Sequence, residues 1–267
     1  MAAPVGGYRV IARAMRSLRL ANSLALRGLN EIVRVPGAAI PGALAPTIFM
    51  LGSYSIFGGL DVLPGFGDAQ YLDFVLPVGI LQGAAFTGAA TGVNLARDIE
   101  AGWFDRVMLS PTPRPAILLG IVASAALRAL LPVSVLLAVG FMLGLHWPGF
   151  AGLLLAFLLA AGLAAALAAW SSTLALKFRS QDAAPLMQST GFILVFFTAA
   201  YAPQALLAPW LQTVTKLNPA TYVLEAVRQA FVGSISWSTT WPGLVALAGL
   251  LAAASALALR GIDRTNR

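Results

Sequence analysis

Short polar stretches cut this chain into six long apolar runs: Ala38 to Gly59, Leu72 to Ala96, Ala116 to Leu145, Phe150 to Leu176, Leu186 to Leu207 and Trp241 to Leu259. A helix rising about 1.5 Å per residue needs about 20 residues to cross a hydrocarbon core about 30 Å thick, and each run is long enough. Lipid offers a backbone no hydrogen-bond partner, so such runs read as helices; the alternation of a membrane barrel is absent. The expectation is an all-α, polytopic membrane protein with six transmembrane helices.

Composition agrees. Of 267 residues, 59% are hydrophobic and 10% charged, against about 45–50% and about 25% in soluble domains. There is no cysteine, which excludes a disulfide-stapled secreted domain. A formal charge of +7 would suit nucleic acid only if the basic residues shared one folded face. They are dealt out between apolar runs instead, so no nucleic-acid partner is expected.

Their placement sets an orientation. Arg9, Arg13, Arg16, Arg19, Arg27 and Arg34 precede the first run, Arg97, Arg106 and Arg114 follow the second, Lys177 and Arg179 follow the fourth, and Arg260, Arg264 and Arg267 form the tail. The opposite side carries Lys216 and Arg228, and its first loop holds Asp61, Asp68 and Asp73. The positive-inside rule then puts both termini in the cytoplasm, in a multi-pass plasma (inner) membrane protein. The basic stretch before the first run is too long for the n-region of a signal peptide. Arg128 falls inside the third run; the cheaper reading starts that span near Leu127 and lets Arg128 snorkel to the inner surface, the other being a buried functional arginine. Tyr71, Phe74, Trp147, Trp210, Trp237 and Trp241 fall at expected outer boundaries, Trp103 and Phe104 in an inner loop, and His146 reads as one more interfacial residue.

Four segments carry more. From Tyr8 to Arg34 the arginines recur at helical spacing opposite Ile11, Met15, Leu18, Leu29 and Ile32, predicting an amphipathic helix along the inner leaflet that Pro36 ends. The second run has two G-x-x-x-G steps, Gly79 to Gly83 and Gly88 to Gly92, followed on one face by Thr87, Thr91 and Asn94. Small residues admit a neighbouring helix and hydroxyls can bond across the contact, so this span is expected at the centre of the bundle, with a polar substrate path as the alternative. Between the second and third runs, Arg97 to Leu109 mixes Asp98, Glu100, Asp105 and Arg106 with Trp103 and Phe104, and Ser110, Pro111 and Pro113 stop it. That predicts a short amphipathic cytoplasmic helix whose apolar side chains need the headgroup zone or a protein groove. On the other side, Asn218 and Pro219 make a sound helix start, and Glu225 and Arg228 are an i, i+3 pair. The stretch from Tyr201 to Gly233 reads as a re-entrant hairpin, which must be covered by protein.

The chain has no engine. A P-loop needs G-x-x-x-x-G-K-[ST], and the two lysines, Lys177 and Lys216, follow Leu176 and Thr215. Proton coupling would usually need ionisable groups inside the spans, and apart from Arg128 none is there, the acids Asp73 and Asp182 sitting only at span ends.

The motif Leu95-Ala96-x-Asp98-x-x-x-Gly102-x-x-Asp105-Arg106 with Ser110-Pro111 and Arg114, together with Leu217-Asn218-Pro219, Tyr222, Glu225 and Arg228, resembles the membrane subunit of an ABC type-2 permease of the daunorubicin-resistance exporter kind. The resemblance covers about Arg13 to Arg260. It implies a cytoplasmic N-terminal segment (1–36), a six-helix permease domain (37–260) with a coupling helix at about 97–109 and outer re-entrant helices at about 201–233, and a cytoplasmic tail (261–267). It further implies that Asp98, Glu100, Gly102, Trp103, Phe104, Asp105, Arg106, Ser110 and Pro111 serve docking on a separate ATPase subunit, which would hold ATP and Mg²⁺; this chain would bind no cofactor or metal. The Pro111-Thr112-Pro113 step departs from relatives that often have a single proline there.

The leading functional expectation is therefore the membrane half of an ATP-driven exporter, paired with a copy of itself or a similar subunit, moving a lipophilic or amphipathic compound such as a drug, polyketide or glycolipid out of the cytoplasm or inner leaflet. A polysaccharide or glycoconjugate permease is the alternative. An enzyme reading makes Asp98, Glu100 and Asp105 a Mg²⁺ site for phosphoryl or headgroup transfer, but Asp98 and Glu100 point apart on a helix and Arg97 and Arg106 can neutralise the acids. A passive channel or proton-driven carrier is a third reading.

Overall fold

The computed structural model describes residues 36–59, 69–109 and 113–264. The expected N-terminal amphipathic helix, Asp61, Asp68, Ser110 and Pro111 lie outside the described residues. Among those described, the chain is all-helical: α1 (Pro36–Phe57), α2 (Tyr71–Glu100), α3 (Trp103–Met108), α4 (Arg114–Met142), α5 (Gly149–Phe178), α6 (Ala184–Phe196), α7 (Pro209–Leu217), α8 (Pro219–Val232) and α9 (Trp237–Arg264), with single 3₁₀ turns at Gln181–Ala183 and Gln204–Leu206. Four of these, α2, α4, α5 and α9, are long and apolar enough to cross a membrane.

Helix α2 is the axle. From Tyr71 to Ala85 every residue is buried, and it packs against α5, α6, α1, α4 and α8. Its four glycines explain how it can be so crowded. Gly79 and Gly88 are nine residues apart, about 180° at 100° per residue, so the two small-residue steps face opposite ways. A Cβ at Gly79 would meet Leu136 of α4 at 3.1 Å and one at Gly83 would meet Pro132 at 3.0 Å; on the other face, a Cβ at Gly88 would lie 2.7 Å from Leu167 of α5 and one at Gly92 2.3 Å from Ser171. Both contacts depend on the missing side chain.

Thr87 and Thr91 are buried, but their hydroxyls do not bond across the contact as expected. They donate to the carbonyls of Gly83 (2.8 Å) and Thr87 (2.9 Å) one turn back on their own helix, the bond that a threonine in a helix makes without any partner helix.

Two other expectations need correction. Helix α4 starts at Arg114, with Pro115 in its first turn, not near Leu127. Arg128 therefore sits about 21 Å along the helix, and it is 7% exposed rather than snorkelled to a surface; a continuous helix packed on α2 and α5 carries it inside.

The fifth apolar run, Leu186 to Leu207, is not one helix. Helix α6 stops at Phe196 after 13 residues, about 20 Å and too short alone for a 30 Å core. The carbonyl of Leu194 near its end, and those of the chain just beyond it, are taken by side chains from further along. Asn218 Nδ2 donates to Leu194 O (2.7 Å) and Phe197 O (2.9 Å), and Arg228 Nη2 donates to Ala199 O (2.8 Å) and Ala200 O (3.1 Å). Backbone that leaves the helix in an apolar setting is kept because protein groups satisfy it.

Gly92→Ala is expected to force α2 and α5 apart and to cost about 1–3 kcal/mol, lowering the melting temperature of the detergent-purified protein. Gly249→Ala on α9, where a Cβ meets nothing within 4 Å, is expected to be neutral or slightly stabilising.

Candidate functional site

The bundle has two polar ends joined by α2. At the Glu100 end the sequence leads to one continuous helix from Arg97 to Leu109, whereas the structure divides it. Arg97, Asp98 and Glu100 belong to the last turn of α2, and α3 begins at Trp103. The break falls at Ala101-Gly102, where Gly102 has φ +68°, a left-handed conformation that glycine adopts without cost. This turn swings α3 back onto the bundle. Phe104 is 1% exposed and packs in an apolar cluster with Ile99, Ile117, Leu174 and Met187. Part of the apolar demand is thus met within the chain. Asp105 and Arg106 remain exposed, and Leu109 is 87% exposed.

The loop between α5 and α6 closes over α3. Helix α5 ends at Phe178 and Arg179 follows at φ +52°, with its N–H donating to Ala175 O at 2.8 Å. From there Arg179 Nη2 reaches Asp105 Oδ1 at 3.2 Å. Gln181 donates twice to Glu100, from its backbone N–H to Oε1 (2.8 Å) and from Nε2 to Oε2 (2.5 Å). Ser180 Oγ accepts from Asp182 N (3.1 Å) and caps the 3₁₀ turn. Beside this clasp, Arg114 at the start of α4 forms an ion pair with Asp263 near the end of α9.

These pairings were not legible from spacing. The expected neutralisation of the acids by Arg97 and Arg106 gives way, at Asp105, to Arg179, 74 residues away. The available signal was coarser: an acidic loop, Asp98, Glu100 and Asp105, and a basic one, Lys177 and Arg179, on the same side of the sequence's topology. The three acids do not converge. Glu100 is turned to Gln181 and Asp105 to Arg179, and among the described residues no three His, Cys, Asp or Glu side chains come together as a metal site.

At the Tyr71 end, Asn218 begins α8 as expected, its Oδ1 accepting from Ala220 N at 2.9 Å, with Pro219 in the first turn. Tyr222, 41% exposed, donates its hydroxyl to Lys216 O at 2.8 Å. The i, i+3 pair forms, with Arg228 Nη1 2.6 Å from Glu225 Oε1. Arg228 does far more than pair. Its side chain is 4% exposed, its guanidinium lies 3.7 Å from the Phe74 ring centroid, and its Nε donates to Phe74 O at 3.2 Å. One side chain thereby ties α8 to α2 and to the chain just beyond α6.

Tyr71 and Phe74 are 0% and 5% exposed, buried rather than interfacial. The Tyr71 hydroxyl donates to Tyr201 O (3.1 Å), and Gln82 Nε2 donates to the Tyr201 hydroxyl (3.0 Å). Trp147, Trp210, Trp237 and Trp241 are exposed. His146 is more than an interfacial ring: its backbone N–H donates to Asp73 Oδ1 (3.0 Å), and its Nδ1 lies 2.7 Å from Oδ2. Asp73, 1% exposed at the side chain, also accepts from Gln70 N at 3.2 Å. It links the start of α2 to the turn between α4 and α5.

Comparison with known proteins points to one family. The family model described as ABC-2 type transporter matches residues 20–232. Among relatives, the putative transport permease ycf38 of Cyanophora paradoxa is 28% identical over 78% of this chain and 72% of its own length. The probable doxorubicin resistance ABC transporter permease protein DrrC of Mycobacterium tuberculosis is 25% identical over 88% of this chain and 83% of its own. The ycf38 permease of Pyropia yezoensis is 28% identical over 82% and 75%.

Arg228→Met is expected to leave three backbone carbonyls and the Glu225 carboxylate without their donor and to cost about 3–5 kcal/mol. Thermal unfolding in detergent measures it. Arg228→Lys should recover only part of this, because an ammonium cannot match the fork of a guanidinium.

Proposed function

The chain belongs to the ABC-2 type transporter family, and from that membership we propose that it is the membrane-embedded permease of an ATP-driven exporter. In this reading the Glu100 end faces the cytoplasm, both termini lie there, and the membrane is the plasma (inner) membrane. The permease domain (37–260) contributes six crossings, α1, α2, α4, α5, α9 and the composite of α6 with the chain beyond it; residues 1–36 are the cytoplasmic N-terminal segment and 261–267 the cytoplasmic tail. Two copies, or this chain and a similar subunit, pair around the transport path, and two separate ATPase subunits hold ATP and Mg²⁺.

The observation that carries the proposal is the clasp at the Glu100 end. Helix α3 leaves α2 through a single glycine turn; Asp105–Arg179 holds α3 to the α5–α6 loop, and Glu100–Gln181 holds the end of α2 to the same loop. A push on α3 from a neighbouring subunit is therefore delivered to α2, α5 and α6 together. Trp103, Arg106 and Leu109 provide the docking surface, with Ser110 and Pro111 following; Asp98 and Phe104 support it from the bundle side. Closure of the ATPase subunits on ATP would tilt the bundle between inward-facing and outward-facing states.

The cargo class follows from apolar spans with few titratable groups: a lipophilic or amphipathic compound such as a drug, polyketide or glycolipid. The DrrC relative, named for doxorubicin resistance, favours this over polysaccharide or glycoconjugate export. The stretch Gly79, Gly83, Thr87, Gly88, Thr91, Gly92 and Asn94 serves helix packing first, since its glycines are filled by neighbours and its two threonine hydroxyls bond their own helix.

Trp103→Glu should reduce ATP-driven export from inverted vesicles about tenfold or more, since a charge in a docking surface costs several kcal/mol, while insertion and yield stay unchanged. Unchanged export would remove α3 from the coupling role. Asp105→Arg should uncouple ATP hydrolysis from export with little effect on stability, because an exposed ion pair is worth about 0–1 kcal/mol. Asp105→Arg with Arg179→Asp should restore coupling; a double variant no better than the single one would contradict the relay.

A further inference from the structure

A cavity of about 520 Å³ opens at the Tyr71 end between α8, the start of α9 and the turn before α7. Its volume lies within the range of about 300–1,000 Å³ usual for small-molecule sites. Phe74, Pro203 and Val232 give it apolar walls, and Thr221, Glu225 and Arg228 are its polar residues nearest the helix α8 face.

The side-chain nitrogens of this wall are committed within the chain. Arg228 spends Nε, Nη1 and Nη2 on Phe74 O, Glu225 Oε1 and the carbonyls of Ala199 and Ala200. Gln204 Nε2 donates to Thr215 Oγ1 at 3.1 Å. Gln229 Nε2 donates to Thr240 Oγ1 at 2.7 Å, while its Oε1 accepts from Ser236 N at 2.9 Å. The oxygens are less fully used. The Glu225 side chain is 41% exposed, and only Oε1 is engaged, with Arg228. Thr221 is 7% exposed, and its hydroxyl has no hydrogen-bond partner.

Charge points the same way. The guanidinium of Arg228 is buried against the Phe74 face, three carbonyl oxygens and Glu225 Oε1, so its positive charge is met inside the protein. Glu225 lines the same cavity, and of its two carboxylate oxygens only Oε1 is engaged. A wall whose side-chain nitrogens are engaged and whose carboxylate has an open oxygen favours a ligand that brings its own N–H groups, to which the Thr221 hydroxyl can add a further polar contact.

We propose that this cavity binds amphiphilic amines, with the ammonium on Glu225 Oε2 and the apolar body against Pro203 and Val232. The proposal deepens the transport reading and rests on it only for the site's role, which would be to receive cargo on the side of release. Binding itself needs no motor.

The full-length permease in phosphatidylcholine nanodiscs, without ATPase and with empty-disc signal subtracted, is titrated with dansylcadaverine, a fluorophore bearing a primary ammonium, and with its neutral N-acetyl derivative. The wild type should prefer the ammonium about tenfold. Glu225→Gln keeps an oxygen for Arg228 and should abolish that preference. Ser234→Trp, at an exposed position lining the cavity, should weaken both probes. Equal affinity of the wild type for both probes overturns the proposal, as does a Glu225→Gln protein that keeps the preference or a Ser234→Trp protein that binds both as before. If Glu225→Gln fails to fold, the wild-type comparison and Ser234→Trp still decide. An assembled transporter that exports cargo with ATP yet shows no ammonium preference sinks the site alone; a preference without ATP-dependent export sinks the transport reading alone.

Discussion

Everything in this fold depends on how closely other helices can approach α2. With 30 residues it is about 45 Å long and reaches from one polar end of the bundle to the other, buried for most of that length. Apolar burial does little to hold helices together in lipid, where the tails are as apolar as leucine; close van der Waals contact has to do it. Glycines on opposite faces let α4 and α5 press against the α2 backbone, and this contact makes a rod whose ends cannot move independently. At one end the rod carries the clasp of Glu100 and Asp105. At the other it carries the Phe74 carbonyl and ring that receive Arg228.

The second constraint is the need to satisfy every buried backbone group. Helix α6 ends early, and the carbonyls at its end and in the chain just beyond it would be costly in an apolar medium. Asn218 and Arg228, both on the hairpin that follows, supply the donors. The same two residues that start and anchor α8 therefore also finish α6, so the hairpin and the broken helix form one unit. The arginine is the costlier choice, since a buried charge must be compensated, and three carbonyls, a carboxylate and an aromatic face all contribute to that compensation.

Much of the helix content was legible because the periodicity of apolar runs is a strong signal over 20 or more residues. The centrality of the second run was legible from its glycines, as was the Asn218-Pro219 helix start from capping chemistry. What escaped was long-range. Arg179 with Asp105 and Gln181 with Glu100 join loops far apart in sequence, and no local rule brings them together. Arg228 looked like a local pair with Glu225 because spacing reveals only the i, i+3 partner. The termination of α6 at Phe196 was hidden because residues 197–207 are as apolar as a helix would need; only the side chains of Asn218 and Arg228 explain why the helix can stop. Gly102 was noted as part of a motif, but its left-handed turn, which splits the expected coupling helix in two, is a backbone property that composition does not reveal.

The central claim is that α3 is the surface through which a separate ATPase moves the bundle. Because the chain has no cysteine, a single one at Arg106, carrying a short photo-crosslinker, reports its neighbour without ambiguity in the assembled transporter. The account predicts a crosslink to the ATPase subunit whose yield changes when ATP is added. A label that captures only lipid, or that an impermeant thiol reagent reaches from outside the cell, would contradict it.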